Sequence, residues 1–392
     1  MKRLLLRKGK AASVHRRHPW VFSGALQRHS PLPEDGEAVE IGDHQGQYLA
    51  TGHYQSGRSI VVRLCAFSPT DLGPDFWSAR LQQARQYRQV AGLPDANCNC
   101  YRLVHGEGDG LPGLIIDIYG TTAVIQCHSI GMHRQLADIV SALQRVLGTE
   151  LKAAYDKSAE TLPPRYAAGV ENAYCFGQAA PGEVREYGHR FWVDWETGQK
   201  TGFILDQREN RRMLQRYVRG KKVLNAFCYS GGFSIYALAA GADLVHSVDV
   251  SKKAIEWTER NVALLDDHSG VHESYVEDVL QFLRRDGAVY EVMVVDPPAF
   301  AKNISKRHNA VQGYKRLNAQ ALRRLGKGGI LFTFSCSQVV DDRLFYNTIV
   351  AAAIEAGRKI RVMHRLSQPA DHPVSLFHPE GSYLKGLVLW VE

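Results

Sequence analysis

Apolar residues along the chain follow two periods, and the change between them marks out three sections. From Met1 to about Pro74, short apolar stretches (Ala38–Ile41, Tyr48–Thr51, Ser59–Leu64) lie between Pro-, Gly- and Asp-rich punctuation such as Pro31-Leu-Pro-Glu-Asp-Gly36. Short strands at that spacing predict a small β-barrel-like domain over residues 1–74. Phe76, Ala79, Leu81, Ala84, Tyr87 and Val90 then recur at helical spacing, which predicts a connecting helix over 75–90. A mixed α+β section continues to Glu186. Leu114–Ile118 and Thr122–Gln126 flank Tyr119-Gly120 as a hairpin, followed by a helix over 132–147 and a strand near 153–155. Gly106-Glu-Gly-Asp-Gly-Leu-Pro-Gly113 reads as a turn, because no helix follows it.

From Tyr187 the pattern becomes a β/α alternation. Strands are predicted at 223–226, 244–248, 272–276, 291–295 and 329–334. Helices are predicted after Gly232 and over 252–265, 279–285 and 314–325. Alternation of this kind makes an α/β, doubly wound, Rossmann-like sheet with ligands at the carboxyl ends of its strands. The third domain therefore spans 187–392. A chain of 392 residues, 45% hydrophobic, has ample core for such an arrangement.

Charge adds a partner to the picture. Residues 1–33 hold eight of the Lys and Arg and no Asp or Glu, within a net charge of +8. A basic arm, Arg16 and Arg17 included, suits a polyanion; the plainer alternative is a solvated cationic face. The seven cysteines are scattered, without zinc-ligand spacing, which fits free thiols in a reducing cytoplasm. No apolar stretch of 18 residues stands in the sequence, so no membrane span is expected.

The candidate chemistry lies at the predicted strand ends. Gly231-Gly232, within Phe227-Cys-Tyr-Ser-Gly-Gly-Phe-Ser234, let backbone approach a ligand at the first strand-to-helix turn. Asp249 ends the second strand, where a carboxylate can accept both ribose hydroxyls, and Asp278 follows the third, where it could accept from an adenine amino group. Either acid could instead cap a helix. Neither the dinucleotide fingerprint nor a P-loop lysine is present, which disfavours a nicotinamide oxidoreductase and nucleotide hydrolysis. S-adenosylmethionine, a nucleoside with an amino-acid tail, fits better.

Asp296-Pro297-Pro298 ends the fourth strand in a loop lacking two backbone donors, and Cys336 ends the fifth within Ser335-Cys-Ser337. Cytosine C5 is a poor nucleophile. A thiolate adding at C6 makes C5 enamine-like, and a carboxyl group at N3 would stabilise the adduct. The alternative for Cys336 is a small buried apolar residue, and for Cys228 packing is the better reading.

On these residues the chain resembles the RlmI-type family of 23S ribosomal RNA cytosine-C5 methyltransferases over nearly its whole length. Arg16-Arg-His-Pro-Trp-Val-Phe-Ser-Gly24 is similar to that family's RNA-binding PUA domain, and Gly108-Asp-Gly-Leu-Pro-Gly113 to the start of its central domain. Lys200-Thr-Gly-Phe-Ile-Leu-Asp-Gln-Arg208 resembles the segment that closes over the cofactor, and Asp371-His-Pro373 with Gly381–Gly386 resembles the tail. The resemblance implies Cys336 as covalent nucleophile and Asp296 as the residue that holds the base beside the cofactor. It implies Gln199, Thr201, Phe203, Asp206, Phe227, Tyr229, Ser230, Gly231, Gly232, Asp249 and Asp278 as the S-adenosylmethionine site. Pro297, Pro298, Phe300, Arg16 and Arg17 would face RNA. One departure is Ala299, where relatives often carry Lys; this loop also resembles the Asp-Pro-Pro-Tyr/Phe of amino methyltransferases.

The expectation is thus a cytoplasmic methyltransferase making 5-methylcytosine in 23S ribosomal RNA, naked or in a large-subunit precursor. An exocyclic-amine methyltransferase and a non-catalytic rRNA-binding assembly factor stand as alternatives. The target cytosine, the C5 proton acceptor and the oligomeric state, a homodimer included, stay open.

Overall fold

The computed structural model describes every residue except Asp286, Ala288 and Lys302. The chain divides into two compact units. One comprises residues 1–185, 193–203 and 370–381, the other residues 186–192, 204–369 and 382–392.

The first unit holds two five-stranded sheets. Strands β1 (Lys2–Leu5), β2 (Trp20–Phe22), β3 (Ala38–Gly42), β4 (Tyr48–Tyr54) and β5 (Ile60–Ala66) are ordered β1-β3-β4-β5-β2 around a core that includes Leu4, Val39, Ile41, Val62 and Leu64. The basic N-terminal segment is no loose arm. Residues 2–5 run parallel to β3, Arg3 is bound to Glu40 and the Gly46 carbonyl, and Arg7 donates to the Leu26 carbonyl. Strands β6 (Cys100–His105), β7 (Leu114–Tyr119), β8 (Thr122–Cys127), β9 (Ala153–Asp156) and β10 (Ala173–Phe176) form the second sheet, ordered β10-β9-β8-β7-β6. The β7–β8 hairpin forms at the expected place, turning at Gly120 with φ 61°. Helices Pro74–Val90 and Leu136–Leu147 share a core with this sheet through Trp77, Leu81, Ile139 and Leu143. The helix expected over 132–147 is two helices, Ile130–Arg134 and Leu136–Leu147, and Gly106–Asp109 is a single 3-10 turn.

His53 on β4 lies in this interior, stacked 6.3 Å from Trp77, and neither ring nitrogen has a hydrogen-bond partner. Burial drives its pKa down to about 4, whereas an unfolded histidine titrates near ~6.5. The unfolded chain therefore takes up a proton that the folded chain resists. Stability is full above the unfolded value and falls as pH drops through the window from about 6.5 to 4. Between pH 7 and pH 5 the linkage is worth about 2 kcal/mol. Urea titrations at the two pH values should show a loss to which His128 and His272, also lowered to about 4 by burial, contribute, and His53→Phe should reduce it by about 2 kcal/mol; an unchanged pH slope in the variant would refute the assignment.

After the short strands β11 (Gly182–Glu186) and β12 (His189–Val193), the second unit builds a seven-stranded sheet. Its strands are β13 (Lys222–Ala226), β14 (Leu244–Asp249), β15 (Val271–Val276), β16 (Tyr290–Val295), β17 (Leu325–Ser335), β18 (Ile360–Leu366) and β19 (Lys385–Val391). The order is β15-β14-β13-β16-β17-β19-β18. The first five run parallel, and β16 reads as a nearly continuous apolar run because both its faces are covered. β19 is inserted antiparallel between β17 and β18, so the doubly wound sheet ends in a mixed edge. Side-chain caps start the crossover helices: Ser251 Oγ accepts from Ala254 N, Asp278 from Gln281 N, and Asp341 from Leu344 N.

Candidate active site

Parallel register brings the motifs to one edge. Ala226 pairs with Val248 and with Val295, and Val295 with Thr333. The Phe227–Gly232 turn, Asp249, Asp296 and Cys336 therefore follow neighbouring strand ends, about the point where strand order reverses on either side of β13. Doubly wound sheets bind their ligands at that point.

The Phe227–Gly232 turn is strained. Phe227, Tyr229 and Gly231 have φ of 60°, 48° and 77°, and a non-glycine residue in that region costs on the order of 1–3 kcal/mol. Several bonds hold it there. Cys228 N donates to Val248 O at 3.1 Å, Tyr229 N to Asp249 Oδ2 at 3.1 Å, Thr258 Oγ1 to Tyr229 O at 2.8 Å, and Asn261 Nδ2 to Ser230 O at 2.9 Å. At Gly231 a Cβ would stand 2.7 Å from Thr258 Cγ2 and 3.2 Å from its Cα, so the helix Lys252–Val262 requires glycine there as well. Burial pushes the Cys228 thiol up to about 12, which leaves it a packing residue.

Asp249 does not cap the following helix; Ser251 does that. Its two oxygens instead take one backbone N–H each, from Tyr229 and Ser251. Asp278 does cap its helix, through Oδ1. A nucleoside cofactor needs a backbone that approaches closely, acceptors for a ribose diol and an acceptor for an exocyclic amine. Gly231-Gly232 allow the close approach, and the second lone pairs of both Asp249 oxygens together with Asp278 Oδ2 supply the acceptors. The residues present fit such a group.

The acid that follows β16 is oriented by a residue not anticipated from the sequence. Gln207 Nε2 donates to Asp296 Oδ2 at 3.0 Å, and Gln207 Oε1 is in turn held by Asn210 at 2.6 Å. Its neighbour Asp206 accepts from the Tyr383 hydroxyl at 2.7 Å. Pro297 is buried and Pro298 exposed, while Phe300 lies against Tyr314 with ring centroids 4.6 Å apart. Ser337 Oγ donates to the Ala301 carbonyl at 2.7 Å, which ties the Asp-Pro-Pro loop to the Ser-Cys-Ser turn. Cys336 is half-buried, packed on its inner side against the core that includes Phe233 and Phe334. Tyr314, 0% exposed, places a hydroxyl without a well-formed hydrogen bond near Ser335, Cys336 and Asp296. It is a second neighbour the sequence did not reveal, since a tyrosine at helical spacing reads as core.

Three expected cofactor residues belong to the first unit. Gln199 is exposed. Thr201 is buried with its hydroxyl donating to Asp117, which also takes a bidentate contact from Arg102. Phe203 is buried, its backbone N–H donating to Tyr119. Arg16 and Arg17 are exposed in that unit, and Arg17 lies 5.9 Å from the Phe377 ring centroid. His18, His378 and Glu380 bring one potential ligand atom each within 4.8 Å. His18 Nδ1, however, accepts the Trp20 N–H, so neutral His18 carries its proton on Nε2, toward Glu380.

A doubly wound sheet, a strained glycine turn and carboxylates at successive strand ends define a methyltransferase that uses a nucleoside methyl donor. The profile of the S-adenosylmethionine-dependent methyltransferase family matches residues 102–385, and that of a PUA-like domain matches residues 4–67. The chain belongs to that methyltransferase family, and S-adenosylmethionine is its cofactor. It is 42% identical over 390 residues, 98% of each chain, to the ribosomal RNA large subunit methyltransferase I of Escherichia coli O139:H28. The same identity and coverage hold for the protein of that name from Shigella boydii serotype 4. Among solved structures, a putative SAM-dependent methyltransferase from Streptococcus mutans superposes over 100% of both chains with a TM-score of 0.85 at 23% identity. A putative methyltransferase, SMU.776, complexed with SAH matches equally well. Among the described residues no helix is long and apolar enough to cross a membrane.

Proposed function

We propose that this protein methylates C5 of a cytosine in 23S ribosomal RNA through a transient Cys336 adduct. The carrying observation is the pairing of a half-buried thiol and an oriented carboxylate on adjacent strand ends, linked through Ser337 and Ala301. Large-subunit ribosomal RNA as the substrate class is supported by the names of the 42%-identical relatives.

The bound cofactor supplies an electrophilic methyl group. The Cys336 thiolate adds to C6, and the displaced electron pair makes C5 nucleophilic while the Asp296 carboxyl, protonated for this contact, donates a hydrogen bond to N3. After C5 gains the methyl carbon, loss of its proton expels the thiolate and restores the 5,6 double bond. Gln207 fixes the Asp296 carboxyl group for this contact, and Pro297, Pro298 and Phe300 present a stiff, partly apolar wall to the base. Asp249 takes the ribose, Asp278 the adenine amine, and Phe227, Tyr229, Ser230, Gly231 and Gly232 the remaining cofactor contacts. Asp206, Gln199, Thr201 and Phe203 are assigned to the cofactor by family likeness. Arg16 and Arg17 contribute affinity for phosphate and no chemistry.

The test is methyl transfer from labelled S-adenosylmethionine to large-subunit RNA from cells lacking this protein, with nucleotide mass mapping. Labelled 5-methylcytosine at one position is the expected product. Label on an adenine or guanine amine would establish the amine chemistry, and no incorporation would leave an RNA-binding assembly factor. In the same preparation Arg16→Glu/Arg17→Glu should weaken RNA binding and flatten its salt dependence, and an unchanged slope would return both residues to a solvated face.

A further inference from the structure

Lys385 is the first residue of β19 and stands opposite Ser335 of β17. It is buried, 4% exposed, and Nζ donates to the carbonyl oxygens of Ser337 at 2.8 Å and Tyr383 at 2.6 Å. The ammonium is thereby fixed to the residue immediately after Cys336. Among the described residues it has no carboxylate partner at ion-pair distance. Carbonyls satisfy its hydrogens but not its charge, and a buried cation without a counter-charge is unfavourable.

The groups facing this region come from four elements: Lys385 on β19, Asp296 after β16, Tyr314 on the helix Arg307–Arg324, and Asp341 and Asp342 at the start of the helix Asp342–Ala356. Burial pushes the Lys385 pKa down, and Asp342, Cys336 and Asp341 push it back up. Both aspartates are exposed, so water and salt weaken their pull, and Asp341 is engaged in its helix cap. Burial pushes Tyr314 up to about 12, which keeps it neutral. Lys385 is the cation in this set.

We propose that Lys385 is a positioning residue that holds Cys336 as a thiolate, its ammonium serving as the counter-charge to the sulfur. The proposal rests on the reading of Cys336 as the nucleophile. The thiol proton leaves to solvent, Lys385 keeps all three of its own, and the thiolate is poised before the base arrives.

Iodoacetamide alkylation of the full-length protein, without RNA or cofactor, tests this apart from turnover. Rates at Cys336 are followed from pH 6 to pH 10 by peptide mass spectrometry, with the exposed Cys175 as internal reference. Lys385→Met should raise the Cys336 midpoint by about one pH unit, slowing alkylation near pH 7 about tenfold while leaving the alkaline plateau in place. Lys385→Arg should restore the rate to within about threefold, because it keeps the charge. If thermal melts show that Lys385→Met does not fold, Lys385→Gln removes the charge and keeps a donor. An unmoved midpoint, or an equal loss of rate at every pH, overturns the proposal in favour of a structural lysine. Methyl transfer surviving Cys336→Ala would instead sink the nucleophile reading, and the alkylation midpoints would still report on the lysine.

Discussion

Cys336→Ala should lower the rate of methyl transfer by on the order of 10³-fold or more, with cofactor binding and thermal stability nearly unchanged. In the proposed mechanism the sulfur generates the enamine, and without it the remaining groups can align a cytosine but cannot make its C5 attack a methyl group. None of the other cysteines can take over. Burial pushes up the thiols of Cys228, Cys65, Cys127 and Cys175, which holds them protonated, and Cys98 and Cys100 are fully buried. Removing one Sγ from a half-buried site costs little packing, so a lost activity would not be a lost fold. Initial rates with labelled cofactor, alongside calorimetric cofactor titration and a thermal melt, check all three statements. Activity retained within tenfold would mean that the acceptor is a nitrogen, as in amine methylation.

The largest expected loss of stability lies away from the chemistry. Glu186 is 0% exposed and takes a bidentate contact from Arg211, 2.8 Å on each oxygen, together with Arg208 at 3.4 Å and the Tyr236 hydroxyl at 3.0 Å. Arg211 in turn donates to the Ile204 carbonyl and packs 3.0 Å from the Cβ that Gly232 lacks, so the network supports the backbone of the cofactor turn. Burial alone would lower the pKa of Arg211, and Glu186 more than reverses that. Glu186→Ala removes the carboxylate that two buried guanidinium groups share, and such a break costs about 3–5 kcal/mol. Urea unfolding of the second unit should show a loss of that size, with weaker cofactor affinity in the surviving folded protein. A loss under ~1 kcal/mol, as for an exposed pair, would show that water replaces the carboxylate.

The sequence revealed most where local chemistry and topology agree. The β/α alternation from Val223 to Phe334 follows from apolar runs that both sheet faces bury, and the candidate residues were sought at strand ends because ligands gather there. Asp278 illustrates a reading that stayed double. It caps its helix and also has an oxygen for a ligand, two roles that one side chain can fill at once. The helix placed at 314 begins at Arg307, since Arg307–Gly313 offers few apolar marks to a periodicity argument. What stayed hidden depends on contacts distant in sequence. Gln207 gains its meaning from Asp296, 89 residues away, and Lys385 from the turn at Ser337, 48 residues away. Neither residue type signals such a partner. The positive φ of Phe227 and Tyr229 was equally invisible, because those side chains ordinarily avoid that region.

The placement of β19 sets an order on biosynthesis. The strand bearing Cys336 has one flank bare until residues 385–391 emerge from the ribosome, some fifty positions after the cysteine itself. Nascent chains therefore pass through a stage in which the nucleotide-binding half is already made while the sulfur still lacks both its neighbouring strand and the lysine beside it. The flank of β17 is completed only with the insertion of one apolar ribbon.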